Sequence, residues 1–219
     1  RKAIEINPNF IKAHYNLSFF LLREKKFKEG WERYELRWKP QDNKINTSKP
    51  EWETNKRGKV LLWAEQGIGD EILFASIIPE LVTKVDRLMV KVDKRLIPLF
   101  ERSFDKKIIF LSNECNVNEV KYDFQIPMGS LSKFFRNSKE SFKKWKKAYL
   151  KVDERKAKIL RNTMTSSKSK KIVGISWKSS SKTNQNKSMS LEKFILGIYS
   201  PNICFVSLQY GEVKHEINN

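Results

Sequence analysis

Gly67, Gly69, Asp70 and Glu71 are the residues whose types and spacing best suit chemistry. They stand where an apolar, strand-like run, Lys59-Val60-Leu61-Leu62-Trp63-Ala64, passes through Glu65-Gln66 into an apolar helical run that reaches Leu81. Strand, tight glycine turn and helix bring backbone close to whatever binds there. The unpaired N–H groups and positive dipole end of the helix favour an anion or a functional carboxylate. Ile72 occupies the place of the third glycine of G-x-G-x-x-G, so this is no dinucleotide fingerprint. No Gly-Lys-Ser/Thr follows, which excludes a Walker A loop. The same residues also suit a plain capped helix, with Asp70 or Glu71 serving only its dipole.

The elements that must position this turn follow from the pattern on either side. Residues 1–39 read as helices, with Phe27, Trp31, Tyr34 and Trp38 on one face, an aromatic stripe suited to core packing. Residues 40–58 are polar and turn-rich and read as a connector in which Trp52 docks on a neighbouring surface. From 59 to 127 strand runs (Val60–Ala64, Leu88–Val92, Ile108–Leu111, Phe124–Ile126) alternate with helical ones, which argues a parallel α/β sheet. Residues 130–165 read as basic helix, with Trp145, Tyr149 and Leu150 on its apolar side. Ser166 to Lys170 reads as a hinge, after which strand Ile172–Trp177, a polar loop, helix Leu191–Tyr199 and strand Ile203–Leu208 restart the alternation. The expected domains are therefore 1–39, the connector 40–58, 59–165 and 171–219.

Composition narrows the function classes. The 219 residues carry 44 Lys and Arg against 25 Asp and Glu, a net charge of +19. Residues 133–171 hold 15 of those bases and 3 of the acids, a strip able to meet nucleic acid, an anionic membrane surface or phosphorylated sugars, or simply to form a solvated face. No run approaches the roughly 18–20 apolar residues of a membrane span. No signal peptide precedes the first helix, which begins at Arg1 without an initiator Met, so a start inside a longer protein is expected. Cys115, Cys204, His14 and His215 have no metal-ligand spacing, and Cys204 reads as a buried free thiol.

Five strings in order carry a family resemblance: Gly30-Trp31-Glu32-Arg33-Tyr34-Glu35-Leu36-Arg37-Trp38, Glu65-Gln66-Gly67-Ile68-Gly69-Asp70-Glu71-Ile72, Asp123 to Leu131, Val173-Gly174-Ile175-Ser176-Trp177 and Phe205-Val206-Ser207-Leu208-Gln209. Ala3, Pro8, Ala13, Leu17, Leu21, Phe27, Gly30 and Tyr34 also fall at the small and apolar positions of one tetratricopeptide helix–turn–helix, whose repeat is about 34 residues. The chain resembles bacterial proteins that join a tetratricopeptide array to a glycosyltransferase domain like the ADP-heptose:lipopolysaccharide heptosyltransferases.

The resemblance implies an α/β protein with an N-terminal all-α helical-repeat hairpin, a GT-B-like Rossmann domain and the start of a second Rossmann-like domain that binds nucleotide-sugar. Both the array and the second domain are expected to be incomplete, leaving residues 1–219 inactive by themselves. The implied reaction is an inverting, metal-independent transfer from a nucleotide-diphosphate sugar to a hydroxyl of a glycan, lipid-linked or protein acceptor. Asp70 matches the family's loop aspartate and becomes the candidate base, with Gln66, Gly67 and Gly69 forming the acceptor loop. Lys178, Ser179, Lys187 and Ser188 become the phosphate-binding candidates, Lys187-Ser188 standing where the family often has Arg-Ser. Neither a cofactor nor a metal is expected. The implied location is cytoplasmic, peripheral to the inner membrane face, with protein partners on the array. Two rivals remain: a non-catalytic interaction scaffold and a basic nucleic-acid-binding protein.

Overall fold

The computed structural model describes residues 2–38, 44–143, 148–164, 171–179 and 187–218. The chain divides into two compact units, Arg1–Val152 and Asp153–Asn219.

The first unit opens with α1 (Lys2–Ile6), α2 (Ile11–Arg23) and α3 (Phe27–Tyr34), the last continued by a 3-10 turn at Glu35–Trp38. The α2–α3 connection is tight. Lys25 N–H bonds the Leu22 carbonyl and Lys26 N–H the Leu21 carbonyl, a Schellman closure with Lys25 at φ 61°. That left-handed conformation is strained for lysine, so Lys25→Gly should raise the stability of this unit by roughly 0.5–1 kcal/mol in urea unfolding. Gly30 makes the hairpin close: a Cβ there would stand 2.7 Å from a Leu22 methyl.

A parallel sheet follows: β1 (Lys59–Trp63), β2 (Arg87–Val92), β3 (Ile109–Ser112) and β4 (Phe124–Pro127), in the order β3-β2-β1-β4. Val60, Leu61 and Leu62 of β1 are all fully buried, as a central parallel strand covered on both faces requires. Val60 and Leu62 join the main core; Leu61 faces a smaller cluster with Met89, Val117 and Tyr122. Two helices follow β1, α4 (Ile68–Ala75) and α5 (Ile78–Leu81), where one helix was expected. Pro79 sits in the first turn of α5, a position that tolerates its missing N–H. Helix α6 (Ile97–Ser103) crosses from β2 to β3.

Residues 44–58 are more than a connector. Glu51 bridges Gln125 beside β4, Trp52 N–H bonds the Gln125 carbonyl, and the Trp52 ring is fully buried against Phe134 and Phe135.

The basic helix expected over 130–165 is not continuous. A 3-10 turn at Met128–Leu131, α7 (Ser132–Phe135) and a 3-10 turn at Glu140–Phe142 are separate pieces, and among the described residues the next regular helix is α8 (Glu154–Met164). Over residues 148–152 tertiary packing overrides helix formation. Tyr149 stacks on Phe104 and donates its hydroxyl to the Ile72 carbonyl, while Lys151 N–H bonds Ser103 Oγ at 2.9 Å. Trp145 and the expected hinge at 166–170 lie outside the described residues. Helix α8 belongs to the second unit, which begins at Asp153.

The second unit pairs β5 (Lys171–Ile175) with β6 (Ile203–Ser207) in parallel, with α9 (Leu191–Ile198) between them in sequence and α10 (Lys214–Ile217) after β6. Ile175, Trp177 and Val213 form its core with Leu191, Phe194, Ile195 and Phe205 packed around them. Cys204 is only half-buried, its Sγ 3.2 Å from the Met164 carbonyl. Alternation along β6 leaves this residue on the face opposite Phe205.

Among the described residues no helix is long and apolar enough to cross a membrane, and no group of three or more His, Cys, Asp and Glu could hold a metal ion.

Candidate active site

The strand order β3-β2-β1-β4 reverses direction between β1 and β4. In open parallel sheets the crevice outside the carboxyl ends of the strands at such a reversal is the usual ligand position. Here its walls are the loop Ala64–Gly67 after β1 and the segment Met128–Leu131 after β4. Three of the five resemblance strings meet at this place.

Arg37 ties them together. Its guanidinium is almost fully buried and donates to Glu35 Oε1 at 2.6 Å, Glu65 Oε1 at 3.0 Å, Ser130 Oγ at 2.8 Å and the Tyr34 carbonyl at 3.3 Å. The faces of Tyr34 and Trp38 lie 4.6 and 4.4 Å from its charged carbon. Glu65 also accepts the Gly129 N–H at 3.1 Å. A Cβ at Gly129 would stand 2.6 Å from Glu65 Oε1 and 3.1 Å from Tyr34 Cε1, so this glycine serves close approach. Lys133 extends the network, reaching Glu35 and Glu51 at 3.1 Å each.

Electrostatics separate the two glutamates. Burial pushes the Glu65 carboxyl above its ordinary value, more than Arg37 and the Gly129 N–H pull it down. Burial acts on Glu35 too, but Arg37 and Lys133 together hold its carboxyl below the usual range. Burial raises the Tyr34 phenol to about 12, despite the hydrogen bond from Gln66 and the charge of Arg37. Tyr34 therefore stays neutral at any physiological pH.

The expected site residues sort clearly around this crevice. Gln66 is held, its Nε2 donating to the Tyr34 hydroxyl. Gly67 is the N-cap of α4 in ordinary extended conformation, and Gly69 lies within the first helical turn. Neither has a positive φ, so the turn does not demand glycine at these positions; a Cβ at Gly69 would meet nothing within 4 Å. What the glycines do is leave the loop uncovered.

The acidic pair divides by role. Glu71 is buried and its Oε2 accepts the Asp93 N–H at 2.9 Å, fixing the loop after β2; burial raises its carboxyl. Asp70 does not cap α4, and its carboxylate enters no hydrogen bond or ion pair among the described residues.

In the second unit, Lys178, Ser179, Lys187 and Ser188 do converge, lining a cleft of about 550 Å³ with Ser176, Trp177, Met189 and Phe194. Gln209 shapes its rim. Its Oε1 accepts Ser176 Oγ at 3.0 Å and the N–H groups of Trp177 and Lys178 at 2.9 and 3.0 Å. Ser188 Oγ accepts the Ser179 N–H at 3.0 Å. Lys178 is not free for a phosphate: its ammonium pairs with Glu216, which also accepts Trp177 Nε1 at 2.9 Å. Lys187 is exposed and makes no ion pair among the described residues. Residues 180–186 of the expected loop lie outside the described residues.

The basic strip over 133–171 is divided between the two units. Lys133 and Arg136 are consumed by Glu35, Glu51 and Glu80, and α8 lies in the other unit.

Sequence reasoning assigned no role to Arg37, Glu65, Gln209 or Glu216. The available signal was charge inside an apolar pattern: Glu35 and Arg37 interrupt the aromatic stripe.

Comparison with known proteins adds one relative. Protein FlbA of Caulobacter vibrioides is 29% identical over 212 residues, covering 86% of this chain and 35% of that protein. The chain thus spans about a third of the relative's length. No family model matches the chain, and no solved structure matches it.

Proposed function

We propose that this chain is part of an inverting glycosyltransferase with a GT-B-like arrangement, moving a sugar from a nucleotide diphosphate to a hydroxyl acceptor. The observation that carries the reading is the state of Asp70. It presents the uncommitted carboxylate at the crevice where strand order reverses, while its neighbours Glu65 and Glu71 are both locked by hydrogen bonds. An inverting transfer needs one such group, to take the acceptor's proton as the bond to the sugar forms. It also needs positive groups to meet charge growing on the diphosphate. Lys187, with the Ser179 and Ser188 region beside it, fits that role in the second unit. The N-terminal helices fit one repeat of tetratricopeptide type, packed here into the same core as the sheet.

The test is a panel of nucleotide-diphosphate sugars incubated with the full-length protein, with released nucleoside diphosphate measured. Consumption of at least one donor, dependent on Asp70, is the expected result. No release from any donor, by a folded protein, overturns the reading. Lys187→Ala should weaken nucleoside diphosphate binding by about 1.5–3 kcal/mol, the worth of a charge-assisted hydrogen bond, as read by calorimetric titration. Nucleoside binding should hardly change; equal loss for both ligands would place Lys187 in the frame of the loop instead.

A further inference from the structure

A second uncommitted polar group packs on the core that the Asp70 helix also packs on, and it comes from the N-terminal helices. Tyr15 of α2 packs against the main core with its ring centroid 6.0 Å from that of Tyr34. The Tyr34 hydroxyl is held by Gln66, and Gln66 adjoins Gly67, over which the Asp70 carboxylate folds back: Oδ2 lies 3.8 Å from where a Gly67 Cβ would be. Tyr15 and Asp70 therefore stand at the two ends of one series, Tyr15 to Tyr34 to Gln66 to Gly67 to Asp70. Like the Asp70 carboxylate, the Tyr15 hydroxyl has no hydrogen-bond partner among the described residues. Burial raises the phenol above its ordinary value, Arg37 lowers it, and the Asp70 charge raises it.

A lone carboxylate accepts only, and a neutral phenol can donate. A ligand that satisfies both must donate to one and accept from the other, which is what an alcohol hydroxyl does with its single proton and two lone pairs. Phe19 adds an apolar surface beside Tyr15; its ring is 4.9 Å from that of Tyr15 and 48% exposed. A ring with hydroxyls at its rim and C–H groups on its face matches that combination.

We propose that Tyr15 and Asp70 form a hydroxyl-binding pair for a carbohydrate, so that α2 supplies one wall of the acceptor site. The assignment of that carbohydrate as the acceptor rests on the glycosyltransferase reading; the pair itself does not. Tyr15 orients the hydroxyl by donating to its oxygen, and Asp70 accepts its proton.

The test uses protein with 13C-labelled tyrosine rings, the Tyr15 signal being assigned by its loss in Tyr15→Phe. In Asp70→Asn the Tyr15 phenol should titrate at lower pH than in the unaltered protein, because a nearby negative charge is gone. Unchanged titration would overturn the pairing. Methyl glycosides of mannose, galactose, rhamnose and heptose are then added in turn at concentrations well above millimolar. At least one should move the Tyr15 signal, and its apparent affinity should fall at least tenfold in Asp70→Asn and in Tyr15→Phe, the latter read from the Tyr34 signal. A protein that consumes nucleotide-sugar while its Tyr15 signal ignores every glycoside overturns this proposal alone. A protein that binds a glycoside through the pair but releases no nucleoside diphosphate keeps it and overturns the enzyme reading.

Discussion

Arg37→Ala should destabilise the first unit by about 3–5 kcal/mol, the cost of leaving buried carboxylates without their cation. The guanidinium is the only base that contacts Glu65 among the described residues, and the Glu65 side chain is 3% exposed. Its removal also opens a gap between the Tyr34 and Trp38 rings that now cover it. The loss should depend on pH in a defined direction. The Glu65 carboxyl is already raised in the folded protein, and without Arg37 it rises further. A carboxyl raised on folding favours the folded state most below its unfolded pKa, and that advantage is lost as pH rises through the folded pKa. The deficit of Arg37→Ala should therefore be smallest in mildly acidic buffer and grow towards neutrality. Adding Glu65→Gln should remove most of that pH dependence.

The same variant tests how the N-terminal helices relate to the sheet. Tyr34 belongs to the core cluster that contains Val60, Leu62 and Ile126, and Trp31 packs against it while donating Nε1 to the Arg136 carbonyl at 2.8 Å. Unfolding in urea, followed by tryptophan fluorescence and by far-ultraviolet dichroism, should show one transition for this unit. Early melting of residues 1–38 with the sheet intact would show that the helices are an appended module and that Arg37 is not their common anchor.

How far this was legible in the sequence depends on the range of the interaction. Strands β1 to β4 follow from continuous apolar runs such as Val60-Leu61-Leu62, because a parallel strand is buried on both faces and needs nothing distant to declare it. The position of Asp70 at the start of a helix is likewise a local property. Its uncommitted state is not. It depends on Glu65 finding Arg37, 28 residues earlier, and on Glu71 finding Asp93, 22 residues later. Three acidic residues within seven positions look alike in sequence and differ only in what the fold brings to them.

The same reasoning explains Lys178 and the broken basic helix. Lys178 and Lys187 flank one loop with equal claims on a phosphate, until Glu216 arrives from beyond β6 to take the first. Over 130–165 the helix-forming residues are real, but Tyr149 has a slot against Phe104, and burying a ring outweighs the modest helix propensity of a few lysines. Arg37 and its carboxylates sit inside a stripe whose aromatic spacing was plain, yet spacing alone does not tell which element a buried charge will meet.

Asp70→Asn in the full-length protein should lower kcat by roughly 10²–10⁴, the usual worth of a positioned general base. The amide keeps the shape of the side chain and can still donate and accept hydrogen bonds, but it cannot take a proton. Stability should change little. The carboxylate makes no hydrogen bond or ion pair among the described residues, and α4 is not capped by it. Loss of its favourable interaction with the helix dipole amounts to about 0.3–1 kcal/mol at most. KM for the donor should also be nearly unchanged, since the phosphate-binding candidates are in the second unit. The combination is diagnostic: a fall in kcat of that size, with thermal stability and donor affinity preserved, is what removal of a base produces. Glu71→Gln supplies the contrast. Glu71 is buried and bonded to the Asp93 N–H, so its variant should lose stability first and activity only as folded protein is lost. If Asp70→Asn instead turns over at the rate of the unaltered protein, the carboxylate at the crevice is not the base, and the reaction proposed for this chain loses the residue on which it stands.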